Sequence, residues 1–348
     1  MAADGRGQSS DRIFIRRVLI ALGLFAFFFL TWELRGLVLM LFGAVVVATV
    51  FRAIADPIRR WTGVPEGISL AMAVLVVVAI IGAIGFLFGS QIGAQFQTLG
   101  ATLPNAWEAF ERRIGDMGFG DQLEELVAGG GGAGVLSAAG RMAMVVTGGI
   151  ADTLVVIFGG IFLASQPRFY KSGAIKLIPP KRRELIADAM DHSERALRLW
   201  LKAQLISMTV VGTLTGLGLW LLGMPSALAL GLIAFALEFI PFAGPILAAI
   251  PAVLIALLVG PEMALWVAGL YLLVQQLEGN VVYPLIQQWA VHVPAAVLLF
   301  ALIGFGMLFG IIGIIFAAPL TVVTYVLVKR LYVQEALDTP TPMPGDDE

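Results

Sequence analysis

Leu237-Glu238-Phe239-Ile240-Pro241-Phe242-Ala243-Gly244-Pro245 and, an apolar interval later, Gln275-Gln276-Leu277-Glu278-Gly279-Asn280-Val281-Val282-Tyr283-Pro284 decide how this chain must fold. Each piece sets a glutamate beside prolines and glycines in sequence otherwise hydrophobic enough to lie in a bilayer. Broken backbone in hydrocarbon is tolerated only where protein or a water-filled cavity surrounds it. An ionisable side chain there marks a functional site by default. The two pieces therefore predict interrupted helices around an internal polar site.

The composition sets the class. Of 348 residues 59% are apolar and only 13% charged, with a mean hydropathy of +0.92; a soluble domain carries about 25% charged residues. Several apolar stretches are long enough to cross a bilayer, so the fold class is an all-α polytopic membrane protein. With no cysteine in the chain, disulfides, thiolate metal sites and thiol nucleophiles are excluded. His192 and His292 are the only histidines, too few for a histidine-rich metal site. Neither a G-x-x-x-x-G-K-[ST] phosphate loop nor an H-E-x-x-H pair is present. No enzyme activity, cofactor, metal or nucleic-acid partner is expected. Membrane lipid and a small molecule or ion are.

In chain order, residues 1–17 are a polar, arginine-bearing segment and 18–90 hold three spans, with Thr31–Gly36 as a tight turn and Pro57 ending the second. Residues 91–141 carry Phe96, Leu99, Leu103, Trp107, Phe110, Ile114 and Met117 at steps of three and four, an amphipathic helix with a mostly acidic polar face. Span four is 142–165. A basic amphipathic segment, 166–199, runs into the C-terminal transmembrane core, 200–328, and a short tail, 329–348. The pairs Gly85/Gly89, Gly212/Gly216 and Gly306/Gly310 permit close helix contact, within the subunit or between subunits.

Positive charge orients this layout. Of the 22 Lys and Arg, all but Arg35, Arg112, Arg113 and Arg141 fall in segments on one side. The positive-inside rule then places both termini in the cytoplasm and 91–141 outside. A chain left outside after Leu222 needs an odd number of further crossings, and three gives about eight transmembrane helices. Ala227–Val259 would measure about 50 Å as one straight helix against about 30 Å of hydrocarbon. Pro241, Pro245 and Pro251 break it. Val297–Val328 is again too long, and Pro319 interrupts it near Gly310 and Gly313. Broken or re-entrant segments in the C-terminal half follow.

Glu278 is the sharpest candidate for ion binding or coupling. Gln275, Gln276, Asn280 and Tyr283 surround it with amides and a hydroxyl, while Gly279 and Pro284 loosen the helix. Oxygen ligands of this kind suit hard cations, and the alternative is a solvated surface turn. Glu238 is the more surely buried, as a coupling group or as a cap holding the break at Pro241, Gly244 and Pro245. Asp152 serves either the site or an interhelical hydrogen bond.

The residues Gly223-Met224-Pro225, Phe239-Ile240-Pro241-Phe242-Ala243-Gly244-Pro245, Gln276-Leu277-Glu278-Gly279-Asn280-Val281 through Pro284, and Phe309-Gly310-Ile311-Ile312-Gly313 through Ala318-Pro319-Leu320 together resemble the autoinducer-2 exporter family, the PerM-like permeases. The resemblance covers nearly the whole chain, with its motifs in the last 130 residues. It implies a bacterial inner-membrane permease with both termini inside, exporting a small solute, with sodium- or proton-coupled antiport. An oligomeric, ion-coupled secondary transporter, exporting a small hydrophilic solute or exchanging a cation for protons by alternating access, is the function expected, with H+ or Na+ as coupling ion. A non-transporting scaffold or regulator, or an ion channel, is the competing class.

Overall fold

A computed structural model of the chain describes residues 32–87, 153–287 and 293–341, with residues 18, 22, 23, 29, 30 and 291. The amphipathic 91–141 region, Asp152, His292 and nearly all of the first span lie outside the described residues. Among those described there is no strand.

Helix α1, Arg35–Thr62, passes through Pro57 rather than ending there. Its buried face, which includes Leu39, Val46 and Phe51, holds it in place past the lost hydrogen bond. The helix stops at Gly63, whose φ of 70° supplies the left-handed cap and whose N–H bonds to the Arg59 carbonyl. At the Thr31–Gly36 turn, Leu34 is the residue that separates helical stretches, with its N–H still on the Leu30 carbonyl. Helix α2, Glu66–Leu87, follows after three residues. Span four is described from Thr153: α3, Thr153–Ser165, bends by 91° into α4, Pro167–Lys176. Proline pushes the residue before it out of the helical region, and Gln166 has φ −136°, ψ 57°.

The long helix α5, Arg183–Leu221, has 39 residues, about 58 Å. That is nearly twice the hydrocarbon thickness. Its charged residues all fall in the first half, an arm that ends at Lys202. Around this arm, ion pairs tie one end of the bundle together. Arg198 reaches Asp56 of α1 at 2.9 Å, Arg330 reaches Asp188 at 2.6 Å, and Lys171 pairs with Asp191. Arg52 bridges α1 to Glu66 at 2.6 Å and donates to the Ala164 carbonyl at 2.7 Å.

Beyond α5 the chain doubles back twice. Helices α6, Ala227–Leu237, and α7, Ala243–Val259, form an antiparallel hairpin. Leu230, Ile233 and Ala234 of α6 meet Ala248, Ala252 and Ile255 of α7 in one buried cluster. At 11 residues, α6 spans about 16 Å, too short to cross a bilayer. The expected break lies at Glu238–Phe242, while Pro245 and Pro251, expected to break the run as well, fall in the first turn and the interior of continuous α7. Lipid tails are as apolar as leucine, so helices here associate through close packing and not through burial. Gly212 and Gly216 of α5 accordingly receive Gly231 of α6 backbone to backbone: a Cβ on Gly231 would lie 2.7 Å from the Gly216 Cα. Those glycines serve packing within the subunit.

Helix α8, Pro261–Leu277, lies beside α7 and α5. A π turn, Glu278–Val282, leads into α9, Tyr283–Gln287. The last hairpin is α10, Ala295–Val328, nominally one helix but reversed at Gly310, with φ 66° and ψ −146°. The two arms touch: Gly306 faces Ile314, and Gly313 lies against the Phe305 carbonyl. Residues eight apart stand about 12 Å apart in a straight helix, so this contact requires the reversal. Pro319 interrupts nothing; it is buried in the returning arm, whose backbone stays helical. Gly310 makes the break because its conformation is one that only glycine adopts readily.

Candidate functional site

The two sequence pieces that predict breaks meet in one cavity. It measures about 230 Å³ and takes Gln204 and Ser207 from α5, Glu238 and Pro241 from the α6–α7 turn, and Glu278 from the end of α8. Ala295 and Val322, from the two arms of α10, close another wall.

Glu238 arrives there because α6 stops one residue earlier. The chain tightens into three-residue bonds, with the Ile240 N–H on the Leu237 carbonyl at 2.9 Å. Pro241 offers no N–H to continue the helix. Phe242 takes φ 65°, ψ −48°, while the Ala243 N–H reaches the Pro241 carbonyl at 2.8 Å. This is the rare, strained positive-φ γ-turn. It holds because Gly244 lets α7 start hard against the Leu237 carbonyl, where a side chain would collide. Strain of this kind persists only where the surroundings over-determine it, and it clusters at ligand clamps and switches.

The Glu238 side chain is 3% exposed. Its backbone carbonyl, left over at the helix end, accepts from Gln204 Nε2 at 2.6 Å. Its carboxyl shares the cavity with that of Glu278, and its Oε2 has no partner among the described residues.

Glu278 is half-buried. Its Oε1 accepts from Ser207 at 2.9 Å and its Oε2 from Gln275 Nε2 at 2.8 Å. The π turn that begins at Glu278 has a local cause. Pro284 lacks an N–H, and its ring would press on the carbonyl four residues back, at Asn280. Widening the turn relieves this, and single π turns recur at functional sites.

Of the candidate residues, Glu238, Glu278 and Gln275 come together in the cavity, with Tyr283 at its edge. Gln276 and Asn280 do not line it. They face outward and bond one another, Asn280 Nδ2 donating to the Gln276 carbonyl and Oε1, each at 2.9 Å. Sequence reasoning missed Gln204 and Ser207. Their signal was present, as two polar residues three apart on one face of an apolar span. No group of three or more His, Cys, Asp or Glu gathers among the described residues.

The fold is that of a multi-pass α-helical membrane protein in which two helical hairpins enclose a cavity lined by two carboxyls, and the class it joins is that of the transporters. Residues 18–332 match the AI-2E family transporter, and the chain belongs to that family. It is 34% identical over 128 residues to the putative transport protein YrrI of Bacillus subtilis, covering 37% of this chain and 36% of that protein. YueF, another putative transport protein of Bacillus subtilis, is 31% identical over 160 residues, 46% of this chain and 42% of that protein. Both matches thus span less than half of the relative's length. The AI-2 transport protein TqsA of Escherichia coli is 26% identical over 305 residues, 82% of this chain and 84% of its own.

Proposed function

We propose that this chain is an ion-coupled secondary transporter that exports a small hydrophilic solute by alternating access, with the Glu238–Glu278 pair carrying the coupling ion. The observation that carries this is the convergence of the two carboxyls, from different helix breaks, in one cavity. Two negative charges in one small cavity repel, and a shared proton or a bound cation relieves the repulsion. Loading and release of that ion would change how firmly the α6–α7 turn is held to the end of α8, which links occupancy to movement.

The volume supports a small cargo. About 230 Å³ falls below the ~300–1,000 Å³ of pockets for drug-sized ligands. The family, and the AI-2 transport for which TqsA is named, make a small signalling molecule a natural first solute to test. With the cationic segments on the cytoplasmic side of an inner membrane, the first hairpin enters from outside and the second from the cytoplasm. Both termini are then cytoplasmic, and self-assembly in the membrane belongs to the same reading.

The test is flux in proteoliposomes under imposed proton or sodium gradients. Glu278→Gln and Glu238→Gln are expected to abolish gradient-driven flux while the protein still folds. Unchanged flux in both variants sinks the coupling reading and favours a scaffold. Single-channel currents that persist without any counter-gradient identify a channel instead.

A further inference from the structure

Above the carboxyl pair, the seam between α5 and α8 contains two polar groups that the cavity does not use. Thr215 is fully buried, and neither its Oγ1 nor the Tyr271 hydroxyl has a hydrogen-bond partner among the described residues. Threonine and serine in these helices usually turn the hydroxyl back to the carbonyl four residues earlier, as Thr49, Ser193, Thr209 and Thr321 do. Thr215 does not. The other departure on this face of α5 is Ser207, which spends its hydroxyl on Glu278.

The two orphans lie on the seam itself. On α5, Ser207, Val211, Thr215 and Leu219 follow one another at steps of four, and all are buried. On α8, Val267, Tyr271, Val274 and Glu278 share one face at steps of three and four, with Val267 and Val274 buried. Ser207 meets Glu278 at the lower end, and Gly218 packs on Leu270 at the upper end. Thr215 and Tyr271 both fall in the interval between these contacts. Beyond them Leu219 and Val267, each at 0% exposure, close the seam with apolar surface. Helices α6 and α7 bring no ionisable group to it other than Glu238 at their turn.

We propose that the Thr215 and Tyr271 hydroxyls form a second polar station, which holds water and passes the coupling proton between the Glu238–Glu278 cavity and the opposite membrane face. The proposal rests on the proton-coupled reading above. A hydroxyl both donates and accepts, so each takes a proton from water on one side, gives its own to water on the other, and reorients unchanged. Two neutral oxygens suit this better than holding a bare cation, which needs a fuller set of oxygen ligands. Leu219 and Val267 act as the barrier that must part before the proton leaves.

The experiment uses the full chain in proteoliposomes holding a pH-sensitive dye, driven by an imposed potential. Tyr271→Phe removes one oxygen and is expected to lower proton flux by about 100-fold, the lower end of what a positioned proton-transfer group contributes, with thermal unfolding unchanged. Thr215→Val lowers it in the same sense, and Thr215→Ser restores it. Glu278→Gln is measured alongside. Flux lost in Glu278→Gln but intact in Tyr271→Phe overturns the station and leaves the carboxyl pair standing. Flux intact in both removes the coupling reading and the station with it. A second readout is independent of flux: Thr215→Cys, a lone cysteine in this chain, is expected to react with a small hydrophilic thiol reagent in the membrane. A cysteine there that never reacts, under any gradient, refutes water access.

Discussion

Three glycines of α10 test the reversal that separates a hairpin from a long straight span. Gly304 is helical, with nothing within 4 Å of where a Cβ would stand. Alanine there should stabilise the chain by about 0.5–1 kcal/mol, the ordinary gain over glycine inside a helix. Gly310 has φ 66°, ψ −146°, close to a region that only glycine occupies freely, so Gly310→Ala should cost about 1–3 kcal/mol. Gly313→Ala drives a methyl into the Phe305 carbonyl and toward Phe309 Cβ, 2.7 Å away. Backbone cannot yield as a flexible side chain would, and overpacking of this kind costs about 1–3 kcal/mol. Were α10 straight, all three changes would stabilise by similar amounts. Thermal unfolding in detergent, followed by tryptophan fluorescence, therefore should rank Gly304→Ala at or above wild type and the other two below it. Gly310→Ala and Gly313→Ala proteins as stable as Gly304→Ala would refute the reversal, and with it the wall that α10 gives the cavity.

Further outcomes follow from the same packing. Leu298→Cys with Val322→Cys should cross-link readily, since both line the cavity; on a straight helix they would stand about 36 Å apart. Gly231→Ala sets a methyl 2.7 Å from the Gly216 Cα and 3.0 Å from the Gly212 carbonyl, and should lower the melting temperature through a cost of about 1–3 kcal/mol. At the charged end, outside the membrane, the hydrogen bond from Arg330 holds the Asp188 carboxyl below the ordinary carboxylate range. A lowered folded pKa contributes stability that is present above the unfolded value of about 3.9 and is lost as pH falls through the folded one. Because Asp188 is 40% exposed, Arg330→Ala should cost only about 0.2–1 kcal/mol at pH 7. That difference from wild type should vanish in strongly acid solution, as pH-dependent melting curves would show.

Much of this architecture was legible in the sequence, and the reasons are physical. Apolar runs longer than the bilayer cannot stay straight, so breaks in 227–259 and 297–328 were forced by length alone. Which residue makes each break was harder to read. Pro57, Pro251 and Pro319 all look like interruptions, yet tertiary packing carries each helix through them. Gly310 and the strained Phe242 turn, by contrast, depend on a contact with the returning chain that no local pattern encodes. The candidate site divided in the same way. Glu238 and Glu278 announced themselves by charge in apolar surroundings, but their meeting is a tertiary fact. Asn280 and Gln276 share the polarity of that stretch, yet they do not line the cavity and bond one another instead.

The helix ends around the cavity sharpen what the glutamates do. Helix α6 presents its C-terminal end to it at Glu238, equivalent to about half a negative charge, whereas the helix through Glu278 runs on across the π turn into α9 and presents no end there. Helices α7 and α10 begin at Ala243 and Ala295, beside the same space, and present positive ends of equal size. A hairpin whose two helices meet at its turn thus nearly cancels its own dipoles. The sign of the site is then set mainly by the two carboxyls, which outweigh the single positive end of α10. On the proposed reading, either glutamine substitution removes one of the two carboxyls that would take the coupling ion and is expected to weaken that preference. Changes at Pro241 or Phe242 are expected to leave both carboxyls in place and to alter how the turn moves. A transporter needs the two properties to be separable, one residue set choosing the ion and the other the motion, and the α6–α7 turn keeps them five residues apart or closer.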